Sequence, residues 1–401
     1  MTIEYTSQAY PPQAPRQIED PFGGDPVWLV TRHDDVSAVL ADRRLVMNPR
    51  TGPGGTDYYT HMLTTLGIAR EYAPCVAGNM VHTDPPDHTR LRKLVIRAFS
   101  ARRIAALRPR VEAIAKELSS ALPARAESGT VDLIEHFSYP LPITVICELL
   151  GVPEEHRDQW HAWSQDCTSM DPRRMNPMLA DISEHIRELA GLRRAEPRDD
   201  LLTGLVQARE QGADRLSDNE LIAMVLALMV GGHDTTAHLI GNGVVALLTH
   251  PGQLAMLRED PSLLPGAVQE LLRWCGPAGI AMPRFATEDL TIGGAGIRAG
   301  ERVQALLSTA NRDPLHYDRP EVLDITRRPA DTGGSHLSFS HGAHYCLGAS
   351  LAGQEGEVAL EVLLRQYPDL ALAVPEDDLE WKPLPFTRQL VRLPVWLGAA
   401  R

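Results

Sequence analysis

Phe339-Ser340-His341-Gly342-Ala343-His344-Tyr345-Cys346-Leu347-Gly348 is the most informative stretch of this chain. It reads as a loop running straight into a helix, which the pattern carries from Leu347 to Gln366, ending before Tyr367-Pro368. Cys346 therefore stands at or next to a helix N-terminus, where free amide hydrogens and the positive end of the dipole favour thiolate. Thiolate is the form that binds metal. Gly342 and Gly348 permit tight turns and the close approach of something flat. On these residues alone three other readings stay open. Cys346 is an inert buried cysteine, or a zinc ligand with His341 and His344 at cramped spacing, or a nucleophile beside a histidine.

Further upstream, Ser217-Asp218-Asn219-Glu220 is a capping box, in which the serine caps a free amide and Glu220 reaches back. The helix it opens can run to Thr249, before His250-Pro251, which is about 33 residues or roughly 50 Å. It is apolar on nearly all sides from Leu221 to Val230 and is expected to be buried. Gly231-Gly232-His233-Asp234-Thr235-Thr236 interrupts it. Two glycines there cost roughly 1 kcal/mol each relative to alanine. Either two helices cross closely at this point, or the groove is widened to admit a small ligand beside an acid and a hydroxyl.

The rest of the chain bounds these readings. It has 401 residues, 43% hydrophobic and 23% charged, enough for a large core. A disordered chain, a collagen and a small disulfide scaffold are excluded. A formal charge of −13 disfavours general nucleic-acid binding. The most apolar run, Leu221–Gly232, is too short for a membrane span. Residues 1–20 lack a secretory pattern and, with Pro11, Pro12 and Pro15, read as a flexible arm before a single domain over 21–401. The cysteines at 75, 147, 167, 275 and 346 are odd in number and widely spaced, so no disulfide framework is expected and a reducing cytoplasm fits. Helical patterns dominate from Thr89 to Trp274. Short strands are expected near Val27–Val30, Leu290–Ile292, Val303–Leu306 and Leu390–Trp396, which makes the fold mainly α with small β-sheets.

Five segments in order carry a resemblance. Phe339-x-x-Gly342-x-His344-x-Cys346-x-Gly348 resembles the haem-ligand loop of the cytochrome P450 family. Gly231-Gly232-x-Asp234-Thr235-Thr236 resembles its oxygen-activating helix, and Glu270-Leu271-Leu272-Arg273 resembles its ExxR motif. Ala310-Asn311-Arg312-Asp313 looks like the segment between the ExxR motif and the cysteine loop, and Asp84-Pro85-Pro86-Asp87-His88-Thr89-Arg90-Leu91-Arg92 resembles the haem-edge helix of bacterial members. The resemblance covers residues 20 to 400 or so and is nearest to actinobacterial members that tailor natural products. Ser340 departs from the glycine commonest at its position.

The resemblance implies a single-domain P450 fold with haem b between the long helix and the Cys346 helix. Cys346 would be the iron's thiolate ligand, and Gly348 would keep bulk off the ring. His88, Arg92, Arg284 and His344 would meet the haem carboxylates, where arginine's planar, permanent charge suits the task. Asp234 and Thr235 match an acid–alcohol pair that relays protons while dioxygen is reduced. Glu270 and Arg273 would be a structural buried pair. Candidate substrate-lining residues are Val76, Ala227, Gly231, Ile280, Ala281 and Phe386, which suit a hydrophobic small molecule of polyketide or macrolide type.

The implied reaction is O2-dependent hydroxylation or epoxidation, with oxidative coupling or desaturation as the alternative on the same fold. A metal-dependent hydrolase using His233-Asp234 and a non-catalytic haem sensor are the remote alternatives. No flavin or iron–sulfur segment is evident, so NAD(P)H-derived electrons are expected through a ferredoxin and its reductase. From His88 to Val111 there are seven arginines and one lysine with no Asp or Glu, either a solvated helix face or a patch that steers an acidic ferredoxin. No nucleic acid, membrane or second copy of the chain is expected as a partner.

Overall fold

A computed structural model of the chain describes residues 11–19, 25–49, 57–169, 171–210, 216–328, 336–382 and 387–398. By their contacts the residues fall into two compact units, each assembled from separate stretches of chain. One unit contains 1–45, 106–141 and 235–401, and the other contains 46–105 and 142–234. One of the four cuts along the sequence falls between Asp234 and Thr235.

The central helix runs Asp218–Thr249, 32 residues. The expected capping box forms: the Ser217 amide donates to Glu220 Oε2 at 2.7 Å, and the Glu220 amide donates to Ser217 Oγ at 3.2 Å. The apolar stretch Leu221–Leu226 is buried all round.

In the first unit a five-stranded sheet has the order Arg16–Ile18, Val27–Val30, Arg302–Ala305, Arg284–Ala286, Leu45–Val46. Val27–Val30 and Arg302–Ala305 pair in parallel, so alternate residues face one side. Val30, Val303 and Ala305 pack there with Val36, Val39 and Leu40 of the helix His33–Ala41. Arg16–Ile18 pairs antiparallel with Val27–Val30, so this part of the expected arm is a strand; residues 1–10 and 20 lie outside the described residues. The expected strand at Val303–Leu306 is shifted by one residue, because Leu306 makes an isolated bridge to Ile280. The strand expected at Leu390–Trp396 is shorter. Leu390 bridges Trp381, and only Pro394–Trp396 joins Thr130–Asp132 and Ala371–Leu372 in a three-stranded sheet.

The helices Leu264–Cys275 and Ala349–Gln366 pack with the second half of the central helix. Glycines set this spacing. A Cβ on Gly356 would lie 3.3 Å from Leu239 and Val268, and one on Gly243 would lie 3.2 Å from Leu271.

The second unit is helical, with Tyr58–Thr65, Asp87–Val95, Arg157–Thr168 and Pro172–Ala195 among its elements. The Asp84 carboxylate accepts the amides of Met47 at 2.8 Å and Asn48 at 2.9 Å, which fixes the entry to Asp87–Val95. Among the described residues no helix is long and apolar enough to cross a membrane.

Candidate functional site

The cysteine loop is shaped by its backbone. The Ser340 amide donates to Leu337 O, the Tyr345 amide to Gly342 O and the Cys346 amide to Phe339 O, at 2.8, 3.1 and 2.8 Å. Two residues hold left-handed backbone, Ser340 at φ +63° and Gly342 at φ +70°. At Gly342 no side chain fits, since a Cβ would come within 2.7 Å of Leu40 O. The helix begins at Ala349, two residues later than expected, because Gly348 takes the N-cap position. Cys346 thus sits just before its first turn, and it is partly exposed.

The other four cysteines are in a different state. Burial pushes the thiols of Cys147 up to about 12 and of Cys167 and Cys275 up to about 11, and it also raises Cys75. The charge of Asp234 adds to the effect at Cys167. A thiol held protonated is a poor ligand.

Behind the loop, Glu270 and Arg273 form the expected pair. Arg273 Nε and Nη2 donate to Glu270 Oε2 and Oε1 at 2.7 and 2.8 Å. Arg273 also donates to the carbonyls of Asn311, Pro320 and Val322. The Asn311 side chain continues the chain of contacts, accepting the Leu337 amide at 2.7 Å and donating to Ser338 Oγ at 2.8 Å. The ExxR segment is thereby tied to the residues that open the cysteine loop. Arg327, 3.2 Å from Glu270 Oε2, is a third member that the sequence did not reveal. No spacing marks it, since it reaches Glu270 only through the path of the intervening chain.

The middle of the central helix answers the choice left open by its glycines. Ala227, Gly231 and Thr235, four residues apart and hence on one face, are accessible, as are Val230 and Gly232 beside Gly231, while the rest of this part of the helix is buried. Among the described residues a Cβ on Gly231 would meet nothing within 4 Å, so no described helix crosses closely there. Gly232 is different: a Cβ would lie 3.2 Å from Ile146. Asp234 is buried beside this stripe.

The remaining expected residues are distributed as follows. His344 is partly exposed in the cysteine loop, in a short turn over Gly342–His344. Arg284 is buried in its strand and donates to Met282 O at 3.3 Å. His88 and Arg92 lie four apart on Asp87–Val95, His88 buried and Arg92 partly exposed. Val76 and Ile280 are half-buried, Ala281 is buried, and Phe386 lies outside the described residues.

A flat group with a metal that takes sulfur fits the cysteine loop. A Cβ on Gly348 would meet nothing within 4 Å among the described residues, so this glycine borders open space. A partly exposed thiol stands at the helix start two residues from Gly348. The hydrolase alternative finds no support: among the described residues, His233 and Asp234 belong to no group of three metal-ligating side chains.

The basic stretch differs from its sequence image. Arg90 is paired with Glu220, Arg103 with Asp199 at 2.8 Å, and Arg108 with Glu112 and Glu357. Acids outside the stretch offset the charge of these three, Glu112 from the same helix and Glu220, Asp199 and Glu357 from far along the chain. Arg97 and Arg102 are exposed.

Residues 169–391 match the family described as Cytochrome P450. The chain is 44% identical to Cytochrome P450 107B1 of Saccharopolyspora erythraea over 93% of this chain and 89% of that protein. It is 42% identical to the 6-deoxyerythronolide B hydroxylase of the same organism, over 94% and 91% of the two chains. The solved structure of the P450 monooxygenase TamI bound to tirandamycin C superposes with a TM-score of 0.83 at 41% identity, covering 96% of this chain and 94% of that one. Haem–thiolate chemistry is the property of this group of proteins, and the chain belongs to the cytochrome P450 family of monooxygenases.

Proposed function

We propose that this enzyme uses O2 to hydroxylate or epoxidise a hydrophobic natural product of polyketide or macrolide type, with haem b held by the Cys346 thiolate. Haem so ligated supplies dioxygen activation, because electron donation from sulfur favours O–O cleavage. Cys346 carries the reading: it is the one cysteine that is partly exposed at the start of a helix, beside a glycine bordering open space.

The chain's own residues then divide the work. Arg284 and Arg92 would hold the haem carboxylates with permanent charge, and His344 and His88 with donated hydrogen bonds. Gly348 keeps the ring's approach clear. Asp234 and Thr235 hold and pass protons, the carboxylate as acid and Thr235 Oγ1 as the group nearest the open stripe. Ala227 and Gly231 on that stripe would meet the substrate, and Val76, Ile280 and Ala281 are further candidates for that role. The substrate class is supported by relatives named 6-deoxyerythronolide B hydroxylase and mycinamicin IV hydroxylase/epoxidase, and by the P450 monooxygenase TamI bound to tirandamycin C. Electrons derived from NAD(P)H arrive through a ferredoxin reductase and a ferredoxin, and the exposed Arg97 and Arg102 offer charge to an acidic carrier.

The test is the optical spectrum of the reduced, CO-bound protein. A strongly red-shifted Soret band in the wild type that disappears in Cys346→Ser is the expected result. An unshifted wild-type band, or a shifted band that survives in Cys346→Ser, overturns the ligand assignment.

A further inference from the structure

Outside this site, two histidines and an aspartate meet on the first unit. His33 opens the helix His33–Ala41, Asp34 follows it, and His316 comes from the loop after Ala310. The two imidazole rings are stacked, 3.4 Å between centroids and 14° from parallel. Both turn Nδ1 toward the same carboxylate oxygen. His33 Nδ1 lies 3.4 Å and His316 Nδ1 4.0 Å from Asp34 Oδ1, and the three atoms are all within 4.8 Å of one another. The far nitrogens, Nε2 of both rings, are buried and have no hydrogen-bond partner among the described residues. The polar edge of the pair is therefore the one facing Asp34.

We propose that His33, Asp34 and His316 form a binding site for a zinc-class divalent cation, independent of the haem. The ligand types are those zinc takes, two imidazoles and a carboxylate, with water to complete the shell. In a tetrahedral centre with bonds of about 2.0–2.1 Å, neighbouring ligand atoms lie roughly 3.3–3.5 Å apart. One of the observed separations is already in that range, and the others need a small closure. The two ligands that move have the room: the Asp34 side chain is 96% exposed and that of His316 is 17% exposed. Closure opens the ring stack, since parallel rings present their Nδ1 lone pairs side by side. Burial, and then the second imidazole, hold the His33 pKa below its ordinary value, so the ring is in the neutral form that binds metal.

The site is held in place from behind. Asp313, itself buried, accepts the His33 amide on Oδ2 and the Leu315 amide on Oδ1, both at 2.9 Å. One carboxylate thus fastens both ligand-bearing segments. At the other end of the His33–Ala41 helix, Leu40 O packs against Gly342 of the cysteine loop. A cation at the first end braces the element on which that loop rests.

The test uses untagged holoprotein freed of metal with a chelator. Zinc chloride is titrated calorimetrically, and bound zinc is counted by elemental analysis after gel filtration. Because the chain has 15 histidines, the quantity read is the difference between wild type and variants. We expect one zinc per chain in the wild type, at least tenfold weaker binding in His316→Gln, and weaker binding in Asp34→Asn. Zinc should raise the Tm of the wild type and not that of His316→Gln. An unchanged CO-bound spectrum in both variants separates this site from the haem. No zinc on the wild type, or equal zinc on wild type and His316→Gln, overturns the proposal.

Discussion

Arg273 grips Glu270 with both arms of its guanidinium fork, at 2.7 and 2.8 Å, and each side chain is only 2% exposed. The same arginine bonds three carbonyls across the chain, at Asn311, Pro320 and Val322. Lysine keeps the charge but has no planar fork. Arg273→Lys should therefore leave buried acceptors unpaired and cost about 3–5 kcal/mol, the range for a broken buried pair. Denaturant unfolding measures the loss, and haem content after expression should fall with it.

Two neighbouring substitutions should have opposite signs. Gly342→Ala forces a side chain into left-handed backbone, costing about 1–2 kcal/mol before the clash with Leu40 O is added. Ser340→Gly relieves the same backbone state and should stabilise by about 0.5–1 kcal/mol, part of the relief being offset by added freedom in the unfolded chain. Paired thermal melts of the two variants check both directions.

Thr235 lies on the accessible stripe of the central helix next to buried Asp234. Thr235→Ala should lower product per electron consumed by about tenfold, with the missing electrons recovered as peroxide. The measurement is product and peroxide per NAD(P)H. An unchanged ratio removes Thr235 from the proton path.

Glu355 is buried in the helix Ala349–Gln366, and its Oε2 has no partner among the described residues. Burial raises its pKa well above the ordinary carboxylate value. The unfolded chain ionises this acid at its ordinary pKa while the folded chain keeps it neutral. Its effect is thus absent at pH below the unfolded value and costs stability progressively as pH rises above it. Glu355→Gln should match the wild type in pH dependence near pH 4. Above that, the wild type should lose stability relative to the variant by up to about 1.4 kcal/mol per pH unit. Urea unfolding of both proteins from pH 4 to 8 gives the slopes.

Arg102 and Arg103 are adjacent, but among the described residues only Arg103 is paired, with Asp199. Arg97→Glu with Arg102→Glu should slow ferredoxin-driven reduction by on the order of threefold or more at low salt, with the effect fading as salt screens it. Arg103→Glu should do less, because its charge is already offset. Reduction by dithionite should be unchanged in all variants.

Much of the fold was written locally. The capping box at Ser217 and the apolar run after it placed the central helix to within a residue of its observed start, because both signals act within one turn. The loop at Cys346 was legible for the same reason: a cysteine, two glycines and a helix pattern lie within ten residues. Strand limits were less legible. Leu390 pairs with Trp381 and Leu306 with Ile280, and such pairing depends on partners that no local pattern names.

The sequence by itself determined the family, and it singled out the candidates, Cys346 and the Asp234–Thr235 pair that follows two glycines. Only the tertiary structure decided which glycine borders open space and which is packed, since Gly231 and Gly232 are indistinguishable in the chain and differ in what a Cβ would meet. It also brought Arg327 to Glu270, gave Arg103 its acid, and set His316 against His33. The physical reason is the same in each case. Side-chain charge, shape and backbone freedom are properties of a residue, whereas contact and burial belong to pairs that the folded path alone brings together.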